Sequence, residues 1–134
     1  MVQNDVAQIF LTKAEEALAG AESEFANARY NNCANRCYYA GFQAAIAALI
    51  QLGIQPRNPR GQWGHEYVHS QFVGQLINRR KVYPANLRQV ISNTLALRQT
   101  ADYEQRRVTE REASQALRWI RPLVEAVQKG GDTQ

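Results

Sequence analysis

Apolar residues recur every three or four positions along most of this chain, and this spacing limits its fold more than any other feature does. Five segments carry such a stripe, and no segment shows the sustained alternation of a strand. Nineteen alanines among 134 residues support helices, because alanine loses no side-chain entropy on entering one. The sequence therefore predicts an all-α fold, an antiparallel up-and-down bundle of four long helices and one short helix.

The stripes and the Gly and Pro positions divide the chain into elements. Asn4 or Asp5 is a candidate cap for the first helix, and Thr109 with Glu112 forms a candidate capping box for the last. Pro122 predicts a kink or break of the last helix near Trp119. Residues 130–134 are expected to fray. The expected helices run over about Asn4–Asn27, from Tyr30 until Gly53 stops the second one, and over about His65–Asn78, Pro84–Ala101 and Thr109–Val127.

Length and composition exclude several classes of protein. A mass of 15.2 kDa suits one domain over residues 1–134, with its core between about residues 5 and 128. No run of 18 apolar residues occurs, and the first twenty residues mix acidic and basic side chains. We therefore expect a cytoplasmic protein that does not cross a membrane and needs no cofactor. Two cysteines are too few for a disulfide scaffold.

The formal net charge of +4 is unevenly distributed along the chain. Residues 1–56 sum to −2, whereas residues 57–107 sum to +6. Thirteen of the sixteen basic residues are arginine, whose planar guanidinium suits phosphate and carboxylate. This pattern indicates either a polyanionic partner or an arginine-rich surface that is simply solvated.

Three motifs then occur in order, each on an expected helix. The first is the run N-R-C-Y-Y-A-G-F-Q-A over residues 35–44, the second is His65 with Val68 and Phe72, and the third is R-Q-T-A-D-Y over residues 98–103. They resemble the N-R-x-Y-Y-A-x-F-x-A, H-x-x-V-x-x-x-F and R-x-x-A-D-Y motifs of the HEPN domains, which are small helical bundles. The resemblance covers about residues 10 to 128.

The resemblance implies a function as well as a fold. Better-known HEPN proteins are metal-independent ribonucleases, often toxins paired with a minimal nucleotidyltransferase, and others bind without cutting. Active members resemble one another in an R-x(4 to 6)-H motif at a two-fold dimer interface. Counted from Arg98, the places for that histidine hold Tyr103, Glu104 and Gln105. Tyrosine is a poor proton acceptor at pH 7. We therefore expect a homodimeric RNA- or nucleotide-binding module; the alternatives are a ribonuclease toxin with a degenerate motif and an adaptor that binds only protein.

Candidate binding residues come from these motifs. Arg98 and Asp102 could bind a ligand or could simply form an ion pair with each other from positions i and i+4 of one helix. His65 could likewise bind a ligand, cap its helix or bond to a neighbouring tyrosine. Arg98 lies on an apolar stripe, where a charge must be paired or face a cleft. The predicted site comprises Arg98, Asp102, Tyr103, Asn35, Arg36, Tyr39 and His65.

Two further patterns have chemical and structural interpretations. Arg60 and His65 match R-x4-H literally, although so many arginines make one chance match nearly expected. Cys33 and Cys37 could form a Cys2His2 metal site with His65 and His69, or could simply be small buried apolar residues.

Tyr38 and Tyr39 are consecutive on an expected helix and point about 100° apart. Both cannot enter one packing layer. We expect one of them to face the core and the other to face a neighbouring helix or a second subunit.

Overall fold

A computed structural model describes residues 2–58 and 60–130, and these residues form helices and connecting loops without a strand. The all-α prediction is confirmed. A π-helical segment, Phe72–Arg79, continues α3, and a short 3-10 turn, Ala85–Leu87, precedes α4. The α-helices are α1 (Val2–Ala26), α2 (Tyr30–Gln51), α3 (His65–Gln71), α4 (Val90–Tyr103) and α5 (Glu110–Gln128).

Helix α2 lies at the centre and packs against α1, α4 and α5. Most of its residues are buried, and many of them are alanines, which let neighbouring helices approach closely. Gly41 lies close against α5, because an added Cβ there would lie 2.5 Å from Cδ1 of Ile120. Together the buried apolar side chains form one cluster.

The expected third helix changes its hydrogen bonding partway along. It is α-helical only to Gln71, and a π-helix covers the rest of the expected range. Val68, Phe72 and Leu76 are spaced by four and are fully buried. A spacing of four places side chains on one face of an ordinary α-helix as well, so this pattern predicted a buried helix face but not the π-helical geometry.

The expected start of the fourth helix at Pro84 is wrong. Pro84 has an extended conformation, with φ −72° and ψ 156°, and precedes the 3-10 turn. The α-helix starts only at Val90. The proline therefore fixes φ before a tight turn rather than within the first turn of a long helix.

Capping predictions have mixed outcomes. Helix α1 begins at Val2, so neither Asn4 nor Asp5 caps it. At α5 the box is confirmed: the Glu112 N–H donates to Thr109 Oγ1 at 3.1 Å, and the Thr109 N–H donates to Glu112 Oε1 at 3.0 Å. Of the segment expected to fray, residues 131–134 lie outside the described part of the chain.

Of the kink or break predicted near Trp119, the break does not occur, because α5 runs unbroken through Pro122. A proline at this position deprives the carbonyl of Arg118 of its helical partner. Both Pro122 and Arg118 are exposed, so water can hydrate that carbonyl. No helix among the described residues has the length and apolar character needed to cross a membrane.

Candidate nucleic-acid site around Arg98

The candidate site contains a hydrogen-bonded contact between Asn35 of α2 and Asp102 of α4. Asn35 Nδ2 donates to Asp102 Oδ2 at 3.0 Å and to Oδ1 at 3.3 Å. One turn before Asp102, the Nε atom of Arg98 lies 3.2 Å from Oδ2. This contact is an ion pair rather than an aligned hydrogen bond, since the buried Nε has no hydrogen-bond partner among the described residues. The carboxylate therefore holds Arg98 between the two helices.

Three tyrosine rings lie close to the Arg98 guanidinium. Its central carbon lies 5.3 Å from the ring centroid of Tyr39, 5.6 Å from that of Tyr38 and 5.9 Å from that of Tyr103. At these distances the negative ring faces attract the cation. The Arg98 side chain remains 19% exposed, and the structure shows no hydrogen bond from its Nη atoms to a described residue. The outer side of the guanidinium is thus open to a ligand.

Tyr103 is the exposed member of this group. The residue is 73% exposed to solvent, which is unusual for a large aromatic residue. Tyr38 is fully buried, and Tyr39 is half-buried. Tyr38 therefore faces the core, as expected of one of the two consecutive tyrosines, and Tyr39 lies against Arg98 of the neighbouring helix α4.

Beneath Arg98, the Tyr38 hydroxyl bridges two histidines of α3. It is hydrogen-bonded to Nδ1 of His65 and, at 3.0 Å, to Nε2 of His69. The His65 ring also stacks on Phe42, with 4.4 Å between the centroids. Because the hydroxyl carries one proton, it can donate to only one of these nitrogens, and its oxygen must accept a hydrogen bond from the N–H of the other.

The environment favours neutral histidines at this bridge. Burial, and then the charge of Arg98, lowers the pKa of His65. Burial, and then the charge of His65, lowers the pKa of His69. Burial raises the pKa of the Tyr38 hydroxyl against the opposing effect of Arg98. At neutral pH the three groups therefore carry no net charge, and Arg98 is the cation of the site.

The structure brings most of the predicted site residues together. Arg98, Asp102, Tyr103, Asn35 and Tyr39 contact one another as described, and His65 joins them through Tyr38. Arg36 does not join them.

The side chain of Arg36 lies over Gly20 of α1, with Cδ 3.0 Å from the place a Cβ would occupy there. Adjacent positions on a helix point about 100° apart, which places Arg36 on a different face of α2 from Asn35.

Sequence reasoning missed the central role of Tyr38, together with His69 and Phe42. A signal was available, because Tyr38 and Phe42 are spaced i to i+4, as are His65 and His69. Two such pairs on facing helices can stack in register. Sequence alone did not indicate that these two faces meet.

The residues of the two other candidate patterns have the following surroundings in the structure. Arg60 lies in the exposed loop before α3, where its backbone N–H donates to Asn58 Oδ1, while His65 is bonded to Tyr38. Cys33 and Cys37 are free, buried thiols. No group of three potential metal-ligating His, Cys, Asp or Glu side chains occurs within residues 2–58 and 60–130.

The order of the three motifs, the all-helical core and their meeting around Arg98 define a class of protein. The chain belongs to the HEPN domain family, whose model matches residues 7–130. The family expected from the motifs is thereby confirmed. The chain is also similar to the "Putative toxin MJ0605" of Methanocaldococcus jannaschii, with 27% identity over 125 residues, which is 91% of this chain and 86% of the relative.

Proposed function

We propose that this chain is a single-domain HEPN module that binds RNA or a nucleotide at Arg98. It acts in the cytoplasm as a homodimer, in a toxin–antitoxin or defence setting with a minimal nucleotidyltransferase. Similarity to a relative named as a toxin supports the setting. The dimer and the enzyme partner follow from the resemblance to the family. Short connections between α1 and α2 and between α4 and α5 support an antiparallel up-and-down arrangement of the long helices.

The observation that carries the binding proposal is the guanidinium of Arg98 beside the exposed ring of Tyr103. Asp102 lies on the Nε side of Arg98, so the Nη N–H groups remain to donate to phosphate oxygens. Tyr103 offers a flat apolar surface on which a base can stack. A phosphate contact next to a stacking ring is the pattern by which proteins hold unpaired nucleotides.

Fluorescence anisotropy of a labelled ten-nucleotide RNA, and competition by ATP, tests this proposal. We expect binding that weakens with salt and is lost in Arg98→Ala. Tyr103→Ala should weaken it by about 1–3 kcal/mol, whereas Tyr103→Phe keeps the ring and the affinity. Arg88→Ala is the matched control, because it removes a positive charge that is hydrogen-bonded to Asn78 instead. Absence of binding at low salt, or equal loss in Arg88→Ala, would contradict the proposal.

A specific observation favours cleavage as a second candidate function. His65 is hydrogen-bonded to Tyr38 at Nδ1, its Nε2 has no hydrogen-bond partner among residues 2–58 and 60–130, and its lowered pKa keeps it neutral. Nε2 could take the proton of a ribose 2′-hydroxyl while that oxygen attacks the neighbouring phosphorus. The 5′-oxygen would then leave and take a proton from water, giving a 2′,3′-cyclic phosphate, and Nε2 would return its proton to the resulting hydroxide. The Arg98 guanidinium would stabilise the negative charge that develops on the phosphate.

Cleavage and binding are separated by incubating RNA with the protein in excess EDTA. Fragments ending in a cyclic phosphate, lost in His65→Gln but not in Arg88→Ala, would support the nuclease. Intact RNA at a protein concentration that saturates binding would exclude it and leave the binding module.

A further inference from the structure

A groove between α4 and α5 lies outside the Arg98 site. Its volume is about 460 Å³. Counted at 100° per residue, the groove positions of α4 lie on roughly the opposite side of that helix from Arg98 and Asp102. The groove is lined by Asn93, Ala96 and Leu97 of α4 and by Arg111, Glu112, Gln115, Arg118 and Trp119 of α5.

The floor of the groove is apolar. Leu97 and Trp119 are half-buried, and Ala96 is exposed between them. Aliphatic and aromatic groups gathered in a concave surface gain free energy when an apolar partner covers them. A surface of this shape, formed by two adjacent helices, suits the apolar face of a third helix.

The charge along the groove is positive. Arg111 has no acidic partner within ion-pair distance among the described residues, and Arg118 donates only to the neutral Gln115, at 2.9 Å. The single acidic lining residue, Glu112, is occupied by Arg106, whose Nη atoms each donate to one of its oxygens at 2.9 Å. Two uncompensated cations therefore flank an apolar floor.

The spacing of these cations matches a helical partner. Arg111 and Arg118 are seven residues apart on α5, which corresponds to about 10.5 Å along the axis. Carboxylates seven residues apart on a second helix have the same separation and stand on one face. We propose that this groove docks an acidic amphipathic helix of a partner protein, with its acidic residues paired to Arg111 and Arg118.

The proposal does not depend on nucleotide binding, and the two can fail separately. Single-stranded RNA is the competing occupant, since arginines beside a tryptophan can also hold stacked bases. The aliphatic Leu97 and Ala96 favour the helix, because they offer a base no ring to stack upon.

Trp119 provides a direct readout. In a Trp63→Phe background it is the remaining tryptophan of the two in the chain. The probe is a lactam-bridged helical peptide with leucines on one face and glutamates seven residues apart on its flank; the matched peptide has lysines in place of the glutamates. We expect saturable blue-shifted emission with the glutamate peptide and none with the lysine peptide.

Charge exchange then tests the assignment of the arginines. Arg111→Glu with Arg118→Glu should weaken the glutamate peptide about tenfold and allow the lysine peptide to bind. Ala96→Glu, at an exposed helical position, should weaken the glutamate peptide without disturbing the fold. Arg98→Ala should leave peptide binding unchanged while RNA binding falls.

Three results would overturn the proposal. One is no emission change with the glutamate peptide, and another is equal binding of both peptides. The third is a change in Trp119 emission that short RNA causes and the glutamate peptide does not, which would assign the groove to nucleic acid.

Discussion

Asn35 donates its side-chain N–H groups to both carboxylate oxygens of Asp102, across 67 positions of sequence. This contact ties α2 to α4 at the point where Arg98 is held. Because the carboxylate already accepts from Asn35, its attraction for Arg98 is shared and the guanidinium keeps an open outer side.

Loss of the hydrogen bonds between Asn35 and Asp102 should lower the stability of the protein. We expect Asn35→Ala to lower the free energy of unfolding by about 1 kcal/mol, since a hydrogen bond to a charged group is lost at a half-exposed place. Asn35→Asp should cost more at neutral pH, because it places a second carboxylate beside Asp102. Urea unfolding measures both, and equal losses in the two variants would contradict this account.

The close approach of α2 and α5 at Gly41 gives a second prediction. Gly41→Ala should destabilise the protein by about 1–3 kcal/mol, because the new methyl group overlaps the buried Ile120 side chain. Ile120→Val removes the clashing Cδ1 and should recover part of the loss in the double variant.

Gly20→Ala is the matched control for that substitution. Its Cβ would meet only the flexible Arg36 side chain at 3.0 Å, and alanine is the better helix former. Thermal unfolding should show little change or a gain for Gly20→Ala. A similar loss at both glycines would mean that packing at Gly41 is not the cause.

The capping box at α5 should make the stability of the fold depend on pH in the acidic range. Hydrogen bonds from Arg106 and then from the Thr109 backbone lower the pKa of Glu112 from 4.5 to about 2. Because this carboxylate is favoured in the folded state, its charged form stabilises the protein fully at pH values above 4.5, the ordinary pKa of the unfolded chain. This stabilisation is lost as the pH falls from 4.5 towards 2. Unfolding midpoints over this window should fall less steeply in Glu112→Gln. An unchanged slope would contradict the assignment.

His65 and His69 should make stability depend on pH in a different range, below about pH 6.5. Their pKa values are lowered in the folded protein, so the unfolded chain binds more protons just below the ordinary value of 6.5. Stability from this source is complete above pH 6.5 and falls as pH drops through the folded values. Charged histidines would both donate to Tyr38 and leave its buried hydroxyl proton without an acceptor.

Comparison of urea midpoints at about pH 7.5 and about pH 5.5 measures this effect. The double variant His65→Gln with His69→Gln should lose less stability than the natural chain between the two values. Histidine NMR titrations give the two pKa values directly, and values at or above 6.5 would contradict the prediction.

Local sequence was sufficient to predict most of the helical elements. Apolar spacing predicted the helices because each stripe must be buried, and Thr109 with Glu112 predicted the start of α5 because both partners of the box lie within one turn. The motifs identified the family, and the position of Arg98 on an apolar stripe indicated that its charge needs a partner. These features depend on residues close together in the chain.

Only the tertiary structure decided which side chains meet. It joined Tyr38 to His65 and His69, assigned Asn35 to Asp102 and turned Arg36 towards α1, because these outcomes depend on how the helices rotate and pack against one another. The unbroken helix at Pro122 has the same origin, because the packing of α5 leaves Pro122 and Arg118 on its exposed side. Hydration of the Arg118 carbonyl lets the proline remain within a helix. The π-helical stretch after Gln71 was likewise not predicted, since the four-residue spacing of its buried side chains also fits an α-helix.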